Sequence, residues 1–424
     1  MRRITLISIS CAALIGLAFA GGPAWAQKAS GSKNKGNQTN SYTLDQDTYK
    51  QVQRVEKLMG NNKYAKARNV AKSVLPRAKK ESDYAHALVA QLIAQTYLLQ
   101  KDLDKAEPYL ETIVKLDALQ PQSQESVIQE LATIYLSQKK YDQSIRLYKE
   151  VISDREQKKK NIPADIYYHL GLAYSFAGTY PPAMKNIEKA IGMAKKPNKD
   201  WYQNWFIVAY KMKNYHKANN IAQTLVAKWP DDQDFWNYYG NTALLLHDDK
   251  QATAIYELMH KRGMFKSGDD YMQLANLLIE SKAPYKAAEV LSEGLNKGLI
   301  KKTADNYDTL ASSWMQAREW DKALKALGEE AKLAPTGSVY MRQASIYLNQ
   351  QDYAKAMQAA QNALNKGGLD HPGRGWMVLG QAAFEQKDWT TAMKAFHKAE
   401  NYKEQRSDAQ NWIKYVTQAR SGGS

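Results

Sequence analysis

Along most of the chain one short phrase recurs: an aromatic or apolar residue, two mostly polar residues, then Ala or Ser opening an apolar-periodic stretch. Tyr64-Ala65-Lys66-Ala67, Tyr141-Asp142-Gln143-Ser144, Trp320-Asp321-Lys322-Ala323 and Tyr353-Ala354-Lys355-Ala356 are examples. The small residues stand at Ala67, Ala106, Ser144, Ala183, Ala218, Ala252, Ala287, Ala323, Ala356 and Ala392, 33 to 39 residues apart. Twelve residues before most of them stands another: Ala94, Ala132, Gly171, Gly240, Ala275, Ala311, Ala344 and Gly380. Two helices that cross closely need small side chains at the crossing, so the spacing predicts ten helix-turn-helix units, about twenty helices, in one solenoid. In the fifth unit Phe206 stands where a small residue is expected, and the Tyr210-to-Tyr215 stretch is one residue shorter than Tyr174-to-Tyr180. That departure predicts a local change of superhelical pitch.

Trp376-x-x-Leu379-Gly380 followed by Ala392-x-x-x-Phe396, and Tyr167-x-x-Leu170-Gly171-x-x-Tyr174, resemble the tetratricopeptide (TPR) pattern nearly position for position. Pro230 and Pro335 stand where that pattern ends its second helix. The expected fold is all-α, a right-handed TPR superhelix over residues 47–404. A solenoid needs its last apolar face covered. Ala409, Trp412, Ile413 and Val416 fall at i, i+3, i+4 and i+7, so residues 405–419 are predicted to form a capping helix with a buried Trp412, followed by a disordered tail at 420–424.

The N-terminus changes the picture. Met1-Arg2-Arg3, the apolar run from Ile4 to Ala20 and Ala24-Trp25-Ala26 have the three parts of a secretory signal peptide. Cleavage is expected near Ala26, giving a periplasmic chain with a formal charge of +14 and without the single cysteine, Cys11. Residues 27–46, rich in Gly, Ser, Asn and Lys, are expected to form a flexible basic tether. The full chain carries +16, with a pI of about 9.4 and a mean hydropathy of -0.61. Such a charge often accompanies nucleic-acid binding, which export argues against.

Candidate chemistry is sparse. H-E-x-x-H, G-x-S-x-G and G-x-x-x-x-G-K-[ST] do not occur, and the seven histidines lack ligand-like spacing. Ser30-Gly31-Ser32-Lys33 and Ser137-Gln138-Lys139-Lys140 match S-x-x-K only in letters. Gly367 to Gly375 is predicted to be a long connector between repeats. No enzyme, metal or cofactor is expected.

Two surfaces remain for partners. Residues six and three before and one and four after the small residue of each first helix share one helical face, which in TPR proteins lines the concave groove. That face holds Gln91 and Gln95, Gln129 and Thr133, Tyr168 and Leu172, Asn237 and Asn241, Met272 and Asn276, Asp308 and Ser312, Met341 and Ser345, Met377 and Gln381. Carboxamides both donate and accept, so such a row fits an extended peptide backbone. The second surface is basic: between Lys50 and Lys80 stand ten Lys or Arg and one acid, Glu56. Arg54, Lys57, Lys63, Lys66, Arg68 and Lys72 form its centre, an expected dock for an anionic membrane, wall polymer or acidic protein.

Pro284-Tyr285-Lys286-Ala287-Ala288-Glu289-Val290-Leu291, Trp314-Met315-Gln316-Ala317-Arg318-Glu319-Trp320, Gly367 to Phe384, and Ala409-Gln410-Asn411-Trp412-Ile413-Lys414-Tyr415-Val416 carry a further resemblance. In these phrases the chain resembles exported TPR proteins encoded beside TonB-ExbB-ExbD energy-transducing systems in Gram-negative bacteria. The resemblance implies a non-catalytic periplasmic accessory to TonB-dependent uptake, such as that of iron-siderophore complexes, with envelope proteins as partners. A periplasmic adaptor for cell-wall or outer-membrane polysaccharide assembly is the alternative.

Overall fold

The computed structural model describes residues 42–421; the predicted signal peptide, most of the predicted tether and residues 422–424 lie outside the described residues. Twenty-one helices and no strand occur among the described residues, in two compact units that divide between Lys228 and Trp229, after the fifth repeat. The first unit pairs α1 (Gln46–Gly60) with α2 (Tyr64–Glu81), α3 (Asp83–Leu98) with α4 (Leu103–Leu116), and α5 (Pro121–Ser137) with α6 (Tyr141–Gln157). It ends with α7 (Ala164–Phe176) and α8 (Tyr180–Met193), then α9 (Lys199–Lys211) and α10 (Tyr215–Lys228). In the second unit, α11 (Gln233–Leu245) pairs with α12 (Asp249–Lys261), α13 (Gly268–Glu280) with α14 (Pro284–Asn296), and α15 (Ala304–Gln316) with α16 (Trp320–Leu333). Then follow α17 (Ser338–Asn349) and α18 (Tyr353–Lys366), α19 (Pro372–Glu385) and α20 (Trp389–Glu400), and the single α21 (Arg406–Ser421). The first helix of each pair is termed A and the second B.

The small residues mark the crossings, as the spacing requires. All ten on the B helices, from Ala67 to Ala392, are fully buried, as are Ala94, Ala132, Ala275, Ala311 and Ala344 on the A helices. Where the A residue is glycine the approach is closer still. A Cβ built on Gly380 would lie 2.6 Å from Phe396 Cε1, and one on Gly240 2.7 Å from Tyr256 Cε2. Phe206, the exception in repeat five, is itself buried.

Each A–B turn is built alike. The residue five before the B-helix crossing residue has a positive φ in all ten repeats: Asn62, Lys101, Lys139, Gly178, Lys213, His247, Lys282, Arg318, Gln351 and Lys387. The amide that follows reaches back to close the A helix, as Asp102 N does to Tyr97 O and Ala283 N to Leu278 O, the six-to-one bond of a Schellman turn. In five repeats that same residue also caps the B helix, with Asp102, Asn214, Asp248, Asp352 and Asp388 accepting from the third amide beyond. One residue thereby ends one helix and starts the next.

Three boundaries differ from expectation. Tyr42 packs edge-on against Tyr84, and Asp45 caps α1 and pairs with Arg77 at 2.9 Å, so the last residues assigned to the tether are tied to the first two repeats. The connector is short, because Pro372 starts α19 and places Gly373 and Gly375 inside the helix. The final helix runs on to Ser421, into the segment expected to be a disordered tail.

Candidate functional site

The basic face of the first repeat divides into two classes of cation. Helix α1 buries Val52, Val55 and Met59, and α2 buries Ala67, Ala71, Val74 and Ala78, which leaves Arg54, Lys57, Lys63 and Lys66 exposed. None of these four is in an ion pair among the described residues. Arg68 and Lys72, expected on the same surface, are already engaged. Arg68 stacks over the Tyr97 ring at 4.3 Å and donates to Gln100, while Lys72 donates to Tyr97 Oη at 2.9 Å. That hydrogen bond raises the Lys72 pKa. Arg77 bridges Asp45 and Asp47 and so locks the start of α1 to α2.

The A-helix row is less uniform than its spacing promised. Asn241, Asn276, Asp308 and Ser345 are exposed, and Gln91, Gln95, Gln129, Thr133, Asn237, Met272, Ser312, Met341 and Gln381 are partly exposed. Tyr168, Leu172 and Met377 are buried, at 7%, 6% and 7% exposure, and offer a partner little surface. The cause is the neighbouring repeat: Trp201 lies flat on Tyr168, and Met377 joins the core beneath α21. Some polar members are also taken. Gln129 donates to Glu125, Tyr256 donates to Asn241 at 3.3 Å, and Asp308 accepts from Arg342.

The structure adds a register that the 3, 4, 3 spacing passed over, two residues before the crossing. There stand Glu130, His169, Asn204 and Arg342. Asn204 Nδ2 donates to Tyr168 Oη at 2.9 Å, and Arg342 reaches Asp308, Ser312 Oγ at 3.0 Å and Glu330 at 3.3 Å. Each contacts the preceding repeat at positions three before or one after its own crossing, so these registers form one surface. The register two before the crossing faces about 100° away from the register three before it, and a groove broader than one stripe takes in both.

Electrostatics along this surface follow burial. Glu130 is half-buried without a partner among the described residues, and this burial pushes its pKa up to about 7. Burial raises Glu330, and Arg342 offsets part of that. His169 is held below its ordinary value by burial. Among the described residues no group of three His, Cys, Asp or Glu side chains is placed to hold a metal ion, and no helix is long and apolar enough to cross a membrane.

This arrangement, paired helices with buried small residues at each crossing, agrees with sequence profiles described as tetratricopeptide repeat. They match residues 89–118, 126–158, 164–197, 309–371 and 341–409. The chain carries tetratricopeptide repeats and has the TPR fold. Among solved structures, a tetratricopeptide repeat protein of Parabacteroides merdae is 12% identical over 63% of this chain and 99% of its own, with a TM-score of 0.39. The C-terminal part of a TPR repeat-containing protein from Cytophaga hutchinsonii is 19% identical over 67% of this chain and 96% of its own, with a TM-score of 0.38. No curated protein matches the chain. TPR units are protein-interaction modules and generally non-catalytic, which makes this chain an interaction scaffold in class.

Proposed function

We propose that this TPR chain is a non-catalytic periplasmic scaffold that holds an extended segment of another envelope protein on its A-helix row, as an accessory to TonB-dependent uptake. The observation that carries the binding mode is the row of exposed polar residues on successive A helices of the second unit, Asn241, Asn276, Asp308 and Ser345, with Arg342 linked to it through contacts to Asp308 and Ser312. Such a row gives a polar strip that advances one step per repeat, and an extended backbone offers donors and acceptors in a similar series. Export rests on the signal-like N-terminus, and the uptake role on the resemblance carried by the cap and connector phrases. The four unpaired cations Arg54, Lys57, Lys63 and Lys66 support a second reading, an adaptor for an anionic wall or outer-membrane polysaccharide. Neighbouring genes separate the two: ExbB, ExbD and TonB genes against glycan synthases.

A photo-crosslinking residue placed at Asn241 or Asn276 in living cells should capture a protein partner, whereas one at Lys325, exposed on a B helix, should not. Equal capture from both faces would sink the binding mode. Intact mass of the periplasmic protein tests export, with a chain beginning at Gln27 expected.

A further inference from the structure

One stretch of the A-helix row runs against the charge of the chain. An exposed aspartate stands six residues before the crossing in repeats four to eight, at Asp234, Asp269 and Asp305 in the second unit and, on α7 and α9 of the first, at Asp165 and Asp200. Neither Asp165 nor Asp200 is in an ion pair among the described residues, in a chain of formal charge +16. Aromatic rings lie beside them. Trp201 stacks on Tyr168 with centroids 4.5 Å apart and planes at 16°, and His169 lies 5.7 Å from Tyr168 and 5.8 Å from Tyr148. The Asp200 charge acts on Tyr168, and that of Asp165 on Tyr148 and His169. Burial disfavours the charged form of His169, so the rings carry no positive charge of their own near neutral pH.

Asn204 supplies a second, independent observation. It is 5% exposed, and its Nδ2 donates to Tyr168 Oη and Asp200 O, each at 2.9 Å, while its buried Oδ1 has no hydrogen-bond partner. A buried amide oxygen left unpaired costs stability. A first-turn aspartate by itself is explained by the helix dipole. The dipole does not explain why two such carboxylates flank a partly exposed ring stack with a spare acceptor behind it.

We propose that Asp165, Tyr168, His169, Asp200, Trp201 and Asn204 form a receptor for a guanidinium or ammonium group on the segment held by the A-helix row, so that the partner presents Arg or Lys to repeats four and five. The proposal rests on the scaffold reading above and adds the chemistry of the occupant. A planar cation lies on the open face of Trp201, attracted by the ring quadrupole, while the carboxylates accept its N–H bonds. This receptor is opposite in sign to the basic face of the first repeat.

The test titrates the full chain with a fluorescein-labelled Gly-Ser-Arg-Gly-Ser-Arg-Gly-Ser peptide and with a twin carrying neutral citrulline at both arginines. The arginine peptide should bind about tenfold more tightly, and Asp165→Asn with Asp200→Asn should erase the difference. Both side chains are exposed, so the double variant should stay folded, its melting temperature lowered only by the loss of two helix-dipole contacts. Trp201→Phe should retain the preference and Trp201→Ala lose most of it. Equal binding of the two peptides, or a preference that survives the double variant, overturns the proposal. So does an affinity that rises on deletion of residues 27–41, which would give the site to the chain's own basic segment. Loss of the arginine preference with crosslinking at Asn241 and Asn276 intact sinks the receptor alone, whereas loss of that crosslinking sinks the scaffold reading.

Discussion

A single methyl group decides how closely the two helices of a repeat can cross. At Gly380 an added Cβ meets three atoms of the fully buried Phe396 ring within 2.8 Å, and neither the ring nor the helix behind it can yield freely. Gly380→Ala should therefore destabilise the protein by about 1 to 3 kcal/mol. Gly328 lies inside α16 with nothing within 4 Å of its missing Cβ, so Gly328→Ala should stabilise by about 0.5 to 1 kcal/mol. Thermal melts of the pair check both signs, and two losses of equal size would refute the argument. Glu130 makes a prediction in pH. Burial lifts its pKa from 4.5 to about 7 in the folded chain, so between those values the folded state binds more protons than the unfolded one. Its contribution is fully present below about pH 4.5 and is lost as pH rises to 7. Glu130→Gln should remove that decline and be more stable than wild type above pH 7, by about 1 to 3 kcal/mol. Denaturant titrations at pH 5 and pH 8 measure it.

At the scale of elements, the turns and the cap differ in how far they could be anticipated. The left-handed turn residue recurs in all ten repeats, yet only Gly178 is a glycine, the residue that adopts such a conformation without steric cost. Lys, Arg, Asn, Gln and His fill the others, because the Schellman closure and the capping residues hold the turn whatever side chain it carries. The final helix was legible from its stripe, and Ala409 and Val416 are fully buried. Trp412 is only partly buried, with one face stacked on Phe396 at 5.3 Å and its edge against Phe384 at 5.2 Å. A fully buried indole would cost about 3 to 5 kcal/mol on truncation; partial exposure lowers the expected cost of Trp412→Ala to about 2 to 3 kcal/mol. Hydrogen exchange should show α19 and α20 losing protection first, as nearest-neighbour coupling requires. Unchanged protection there would mean that α21 is not a cap.

For the molecule as a whole, the chemical contrast between its surfaces sets the predicted binding behaviour. Reversing charge at Arg54, Lys57, Lys63 and Lys66 should weaken association with an anionic partner and flatten its dependence on salt, since exposed charges are screened beyond about 10 Å at 0.1 M. Replacing Asn237, Asn241 and Asn276 with Ala should cost about 0.5 to 1.5 kcal/mol per lost neutral hydrogen bond and leave the salt slope unchanged. Titration of the crosslinked partner at two salt concentrations separates the two effects. If neither set alters affinity, both surfaces are solvated faces and the partner docks elsewhere.

The sequence by itself determined the period, the helix pairs, the crossing residues and the stripe of the last helix, because each depends on side-chain size and polarity at fixed helical spacing. Tertiary structure decided which members of a correctly placed row are open. Tyr168 is covered because the next repeat brings Trp201 onto it, and Arg68 and Lys72 are withdrawn from the basic face because Tyr97 on α3 receives them. Glu130, His169, Asn204 and Arg342 were missed for the same reason: one helical stripe defines a line, whereas the A-helix face is a surface two registers wide. Its width depends on side chains one repeat away, about 36 residues along the chain in the case of Asn204 and Tyr168, and no local pattern encodes that contact.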